Sequence, residues 1–182
     1  MTPAPGELET VRRFVNTLDV EAGTDALRTP GDLATWLQQA SLAGPDDRAD
    51  GRQLASAVAL REALRAALAA NHDGAPPPPA AVDVIDEVAA RAELALRLVP
   101  DGQWRAQPRA TGVDGALGAL VALMWTAMSE GTWRRLKVCV HDACQWGFYD
   151  QSRARTGKWC SMQICGNRAK QQAWRGRQAD AT

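Results

Sequence analysis

The sequence predicts a mostly helical α+β chain: an N-terminal helical domain with one β-hairpin, followed by a small module built around four cysteines. Three observations predict it. Apolar residues recur at helical spacing through most of residues 1–132, a single Asp-Gly turn separates two strand-like runs, and all four cysteines crowd between positions 139 and 165. A chain of 182 residues has room for one moderate domain with a core of its own and a second small unit, and the division is placed between residues 1–132 and 133–182.

The elements follow in order. Leu8, Val11, Val15 and Leu18 predict a helix over Leu8 to Val20. Thr29-Pro30-Gly31-Asp32 reads as a helix start, with Thr29 as cap, Pro30 in the first turn and Asp32 where a carboxylate favours the helix N-terminus. Leu33, Trp36, Leu37 and Ala40 supply its buried stripe, and Gly44-Pro45 ends it. A longer helix runs from about Asp47 to Ala70, its faces marked by Leu54, Val58, Arg61, Leu64 and Leu68, and Asn71-His72-Asp73-Gly74 closes it. Ala75 to Pro79 is a short, stiff, proline-rich linker. Another helix spans about Ala80 to Ala90. The runs Leu94 to Val99 and Trp104 to Gln107 flank Pro100-Asp101-Gly102 and predict the hairpin. The last helix of the body spans Val113 to Glu130, with Leu117, Leu120, Val121, Met124 and Met128 on a broad apolar face. Trp36, Trp104 and Trp125 are expected in the core.

The longest apolar run, Ala116 to Met128, is about a dozen residues and contains Gly118. That is short for a bilayer span and reads as a buried helix. The N-terminus has neither a basic start nor an apolar segment, so no secretory signal is read there, and a cytoplasmic location without membrane attachment is expected.

The cysteines carry the clearest chemistry. Their spacing is Cys139-x4-Cys144, fifteen residues, then Cys160-x4-Cys165. Two close pairs separated by the length of a hairpin can surround a tetrahedral ion, so one structural Zn2+ per chain is expected on these four thiolates. Four protein ligands leave no open position for substrate. The competing reading, two disulfides, sits badly with reduced cytoplasmic thiols. His141 lies between the first pair and is read as a surface or supporting residue. Gln145 to Tyr149 reads as a strand, Asp150 to Lys158 as a polar, basic turn, and Ser161 as the cap of a helix to about Arg177 that holds Cys165 in its first turns. A knuckle, a hairpin and a ligand-bearing helix make a treble-clef-like finger.

The formal charge of zero hides an asymmetry. Residues 1–132 hold 11 basic against 18 acidic side chains, and residues 133–182 hold 10 against 3, which gives −7 and +7. An acidic body with a basic module is a layout of nucleic-acid-binding proteins. Arg153, Arg155 and Lys158 at the hairpin tip are the favoured phosphate contacts. Arg168, Lys170 and Arg175 on the last helix are further nucleic-acid candidates. Arg168, three residues past Cys165, fits equally a role beside the thiolates, which with zinc carry a net charge of about −2. In the body, Arg12, Asn16 and Asp19 share one helix face and are candidates to line a small-ligand pocket. Nucleophile–base pairs and phosphate loops are not visible in the sequence, so no enzyme activity is expected.

The stretch Arg135 to Arg177 resembles the CGNR-type zinc finger of bacteria. It carries Leu-Lys-Val-Cys139, Cys144-x-Trp146, Phe148-Tyr-Asp-x-Ser-Arg153, Trp159-Cys-Ser-Met and Cys165-Gly-Asn-Arg-Ala-Lys170. Phe14 to Asp19 and the helix from Leu33 to Leu42 resemble the opening of the ABATE domain, with which that finger is typically coupled. The resemblance implies a stress-related transcription regulator that binds DNA through its finger and a small ligand through its body. The turn Arg153-Ala-Arg155-Thr-Gly-Lys158 is less rich in arginine than that resemblance leads one to expect. RNA or a protein partner is the alternative target for such a finger. The oligomeric state is left open.

Overall fold

The computed structural model describes residues 3–179. The body comprises α1 (Leu8–Val15), a miniature hairpin of β1 (Leu18–Asp19) and β2 (Thr24–Asp25), α2 (Pro30–Gln39), α3 (Gly51–Ala70), α4 (Pro79–Arg91), a second hairpin of β3 (Ala95–Leu98) and β4 (Trp104–Gln107), and α5 (Gly112–Ser129). The finger adds β5 (Leu136–Val138), β6 (Gly147–Tyr149) and α6 (Asn167–Ala179). The mostly helical architecture with the β3–β4 hairpin and a four-cysteine module is the one the sequence predicts, and the β1–β2 hairpin is an addition to it.

Local chemistry sets the boundaries. Thr29 caps α2 by accepting a hydrogen bond from the Asp32 amide, and the Asp32 carboxylate reaches back to the Thr29 amide. Asp50 and Gln53 form the same reciprocal box on α3, so that helix starts at Gly51 and not at Asp47. The first helix stops at Val15, five residues short of the expected Val20. Its polar side chains explain the early end. The Thr17 hydroxyl donates to the Phe14 carbonyl at 2.8 Å, Asp19 accepts from the Ala22 amide at 2.9 Å, and the chain turns into the β1–β2 hairpin. Asp25 at the far end of that hairpin receives both guanidinium nitrogens of Arg61 from α3, at 2.7 and 2.9 Å.

Phe14, Leu33, Leu37, Leu60, Leu64, Leu68, Leu117 and Leu120 are wholly buried and form the centre of one core. Phe14 and Trp36 stack tilted, their centroids 5.1 Å apart. α5 is apolar enough over its 18 residues to cross a membrane by length and composition. In this fold it is the central core helix, with Val113, Leu117, Leu120, Val121 and Met124 buried. It crosses the end of α4 so closely that a Cβ on Gly118 would lie 2.1 Å from that of Ala92. The β3–β4 hairpin stands off this core. Only Ala106 of the two strands is buried, and Trp104 is 57 % exposed instead of the expected core position. Trp36 and Trp125 are half-buried.

The finger does not hang from the body on a linker. β5 and β6 pair antiparallel, Leu136 opposite Tyr149, Lys137 opposite Phe148 and Val138 opposite Gly147. Leu136 and Val138 belong to the same hydrophobic core as the body helices. Asn71 at the end of α3 donates to the carbonyls of Trp133 and Leu136 at 3.0 and 2.8 Å, and His72 Nε2 lies 2.7 Å from the Val138 carbonyl.

Candidate metal centre

The four cysteines are free thiols and their sulfurs all lie within 4.8 Å of one another. Cys139 and Cys144 bracket a tight knuckle in which the amides of Cys144 and Gln145 both donate to the His141 carbonyl, at 2.8 and 3.2 Å. Cys160 precedes and Cys165 lies within a single π-helical turn, Met162–Gly166, capped by the Ser161 hydroxyl, which accepts from the Ile164 amide. Gly166 is packed against Met162, whose sulfur would lie 2.9 Å from an added Cβ. The Cys144–Cys160 and Cys160–Cys165 sulfur distances are 3.6 and 3.7 Å. Four sulfurs each about 2.3 Å from a central ion stand about 3.8 Å apart along a tetrahedron's edges. The donor set therefore fits zinc, and the centre holds one structural Zn2+.

Three of the sulfurs belong to buried residues, with Trp146 and Trp159 packed against them. Without a cation, burial and the neighbouring thiols push Cys165 up to about 12 and raise Cys160 in the same direction. Thiolates in such surroundings require a positive ion, so metal uptake releases protons. The indole N–H of Trp146 and Nδ1 of His141 are buried with no hydrogen-bonding partner among the described residues. An unspent N–H packed against this cluster suits sulfurs that carry charge once metal is bound.

The body grips the first half of the centre. Asn16 caps the end of α1, its Nδ2 donates to the Gly147 carbonyl at 2.9 Å, and its Oδ1 accepts from the Gly147 amide at 2.7 Å. The side-chain amide thus acts as one more strand residue beside β6. An added Cβ at Gly147 would stand 3.1 Å from that Oδ1, so the position suits glycine. Arg65 of α3 is 5 % exposed and donates to the Gln145 carbonyl at 2.8 Å and to the Val15 carbonyl at 2.7 Å. Gln145 sits at φ +48°, a left-handed conformation uncommon for a residue with a side chain.

The candidate ligand residues Arg12, Asn16 and Asp19 have these contacts to meet. Arg12 pairs with Glu9 and approaches the Gly147 carbonyl at 3.4 Å. Arg12 and Asn16 border a shallow cleft of about 260 Å³ with Trp36 and Trp146, while Asp19 closes its own turn and does not line it. A larger cleft, about 760 Å³, lies along the seam between α3 and the finger. Ala66, Ala69 and His72 form one side, and Val138, Arg155 and Lys158 the other. Sequence reasoning missed it because its walls come from segments more than sixty residues apart. Arg61 and Arg65 were also missed, although Arg61 stands within the apolar stripe of its helix, which marks a buried arginine.

Among the basic candidates, Arg153, Arg155 and Lys158 are exposed on the turn after β6, and their charged groups make no hydrogen bond or ion pair among the described residues. Arg168 pairs with Glu21 of the body's first hairpin, at the surface. Lys170 and Arg175 are exposed on α6.

A helical body into whose core a four-thiolate treble-clef-like finger is seated defines the class: a two-part protein built on a structural zinc centre. The ABATE family, with the description "Putative stress-induced transcription regulator", matches residues 9–130, and the CGNR zinc finger matches residues 135–178. The chain belongs to the ABATE family and carries a CGNR zinc finger at its C-terminal end. No curated protein matches it.

Proposed function

We propose that the chain is a DNA-binding transcriptional regulator whose finger contacts phosphates and whose body senses a small ligand. The observation that carries the first half is the turn at 151–158, which exposes Arg153, Arg155 and Lys158 with no hydrogen-bond or ion-pair partner for their charged groups among the described residues. Residues 133–182 carry +7 against −7 for the body. The zinc centre, at about −2, leaves a surplus of roughly five, enough for a handful of phosphate contacts. Arg168 is held by Glu21 and contributes less than the turn. Lys170 and Arg175 extend the basic face along α6. The reading assigns the protein to the cytoplasm and gives it no catalytic role, since four thiolates leave zinc no open position.

Each phosphate neutralised contributes about 0.9 to the log–log slope of affinity against salt. Replacing Arg153 and Arg155 together by alanine is expected to weaken duplex binding across all sequences and flatten that slope by nearly two units. Titration of a labelled duplex at several salt concentrations measures both. Unaltered slope and affinity in the double variant would move the function to an RNA or protein target.

For the ligand, the seam cleft fits better than the α1 face, where Asn16 is spent on Gly147, Arg12 on Glu9 and Asp19 on its own turn. The cleft's lining combines apolar Ala66, Ala69 and Val138 with charged Glu62, Asp73, Arg155 and Lys158. A compound bound there touches both parts of the protein. Screening small metabolites by thermal shift on the zinc-loaded chain and on Ala69→Trp, which fills the cleft, tests the location. Compounds that stabilise wild type are expected to lose their effect in the variant. Equal stabilisation of both would place the ligand elsewhere.

A further inference from the structure

The turn that carries the proposed phosphate contacts is held at its start by Arg135, which donates to the Asp150 and Ser152 carbonyls at 3.0 and 3.1 Å, and from beneath by a buried pair of charges. Lys137, on β5, is 2 % exposed, which is rare for a lysine. Its ammonium donates to Asp150 Oδ2 at 2.9 Å, to the Arg155 carbonyl at 2.6 Å and to the Gly157 carbonyl at 3.5 Å. All three of its donors are spent inside the turn. Asp150 is 3 % exposed and accepts in addition from the amides of Ser152 at 3.0 Å and Gly157 at 2.8 Å. Burial alone would raise its carboxyl, but Ser152, Lys137 and the Gly157 amide outweigh that and hold it at about 2.

The pair ties the start of the turn to its end. Arg155 lies at φ +56°, in the left-handed region, with its carbonyl turned in toward Lys137. A Cβ at Gly157 would stand 2.7 Å from Asp150 Oδ1, so the chain closes on the carboxylate where only glycine fits without displacement. Inside the turn, the carboxylate and the ammonium are both fully engaged. Outside it are the side chains of Arg153, Arg155 and Lys158. A buried ion pair is a weak source of stability, because desolvation offsets most of its attraction. What it gives here is a fixed arrangement of a turn with little apolar side chain of its own.

We propose that Lys137 and Asp150 are positioning residues that hold residues 151–158 in one preorganised conformation, so that Arg153, Arg155 and Lys158 meet phosphates without first having to be ordered. The inference rests on the phosphate-contact reading and adds to it the residues that make that contact work without touching the nucleic acid.

The test is a thermodynamic cycle on the zinc-loaded full chain. Lys137→Met keeps the length and apolar stem of the side chain and removes its charge. It is made alone and in an Arg153→Ala/Arg155→Ala/Lys158→Ala background. Zinc content, duplex affinity at one salt concentration and amide exchange at Gly157 are measured for each. Lys137→Met is expected to retain one zinc, to speed exchange at Gly157, and to weaken duplex binding about tenfold, the order of one charge-assisted hydrogen bond. In the triple background it is expected to cost no further affinity, because the positioned groups are gone. Equal losses in both backgrounds, or no loss in either, would overturn the proposal. If Lys137→Met fails to hold zinc, Asp150→Asn is carried through the same cycle, since it removes the charge while its one amide oxygen can still accept from either the Ser152 or the Gly157 amide. A wild-type chain that binds no duplex overturns the phosphate reading and this role with it. Exchange at Gly157 then shows separately whether the pair orders the turn at all.

Discussion

Replacing Cys160 by serine is expected to empty the zinc centre and unfold residues 139–179 while the body keeps its helices at reduced stability. The finger has little core of its own. Its second cluster consists of the cysteines with Trp146 and Trp159 against them, and α6 exposes most of its length. Zinc supplies on the order of 10 kcal/mol to such a unit. A hydroxyl in place of one thiolate breaks the tetrahedral set and forfeits most of that. The body fares differently, because Phe14, Leu33, Leu60, Leu64, Leu117 and Leu120 pack without help from the cysteines. It is not indifferent to the loss. Asn16 loses its two-way pairing with Gly147 and Arg65 loses the Gln145 carbonyl. Each such contact is worth roughly 1–3 kcal/mol where burial prevents water from replacing it. Leu136 and Val138, on the strand that enters the knuckle, are held less firmly. Metal analysis should fall from one zinc per chain to none, the far-UV helical signal should largely persist, and the melting midpoint should drop by about 3 °C for each kcal/mol lost. Retention of zinc would reject the four-ligand centre. A body that melts at the wild-type midpoint would show that the seam contacts add nothing.

What was legible in the sequence is what depends on near neighbours. Helix starts were readable because a cap and its partner lie three residues apart, as at Thr29 and Asp32. The hairpin was readable from Asp101-Gly102 and the metal centre from the two Cys-x4-Cys steps. Trp104 was misplaced because alternation along a strand shows that two faces differ and does not show which is covered. The early end of α1 was missed because Thr17 and Asp19 spend their oxygens on the backbone, which competes with helix at positions where apolar spacing still looks helical. Least legible was the union of the two parts. Asn16 and Gly147 are separated by 131 residues, Arg65 and Gln145 by 80, and neither pair has a local signature. Asn16 was singled out as a polar residue on a helix face and its contact lies elsewhere: it satisfies a strand edge. The same holds for Lys137. In sequence it counts toward the basic surplus, but in the structure its charge is buried in the turn and unavailable to a partner.

Arg65→Met is expected to loosen zinc as well as the body, and Arg61→Met only the body. The two arginines are one helical turn apart on α3, and both are nearly inaccessible. Arg61 spends its guanidinium within the body, on Asp25, Thr17 and Glu62. Arg65 also reaches Glu62, but its other two contacts are the carbonyls of Val15 and Gln145. Methionine fills similar space with no donor, so the change leaves two carbonyls short of a partner beneath the seam. Glu62 is half exposed and can turn to water, so its charge is not stranded. The cost to stability should be about 3 kcal/mol, set by the two carbonyls. The consequence for the metal follows from Gln145. Its left-handed backbone costs roughly 1–2 kcal/mol for a residue with a Cβ, and the Arg65 contact helps offset that cost in the residue directly after Cys144. Without it the knuckle that presents Cys139 and Cys144 relaxes more readily, and zinc should pass to a chelator about tenfold faster, the kinetic equivalent of one such contact. Arg61→Met should lower the melting midpoint comparably and leave the transfer rate at the wild-type value. Colorimetric zinc release into excess chelator, run on both variants well below their melting midpoints, separates the cases. Equal acceleration in the two would mean that general stability of the body, and not the Arg65–Gln145 bond, governs how long the finger keeps its metal.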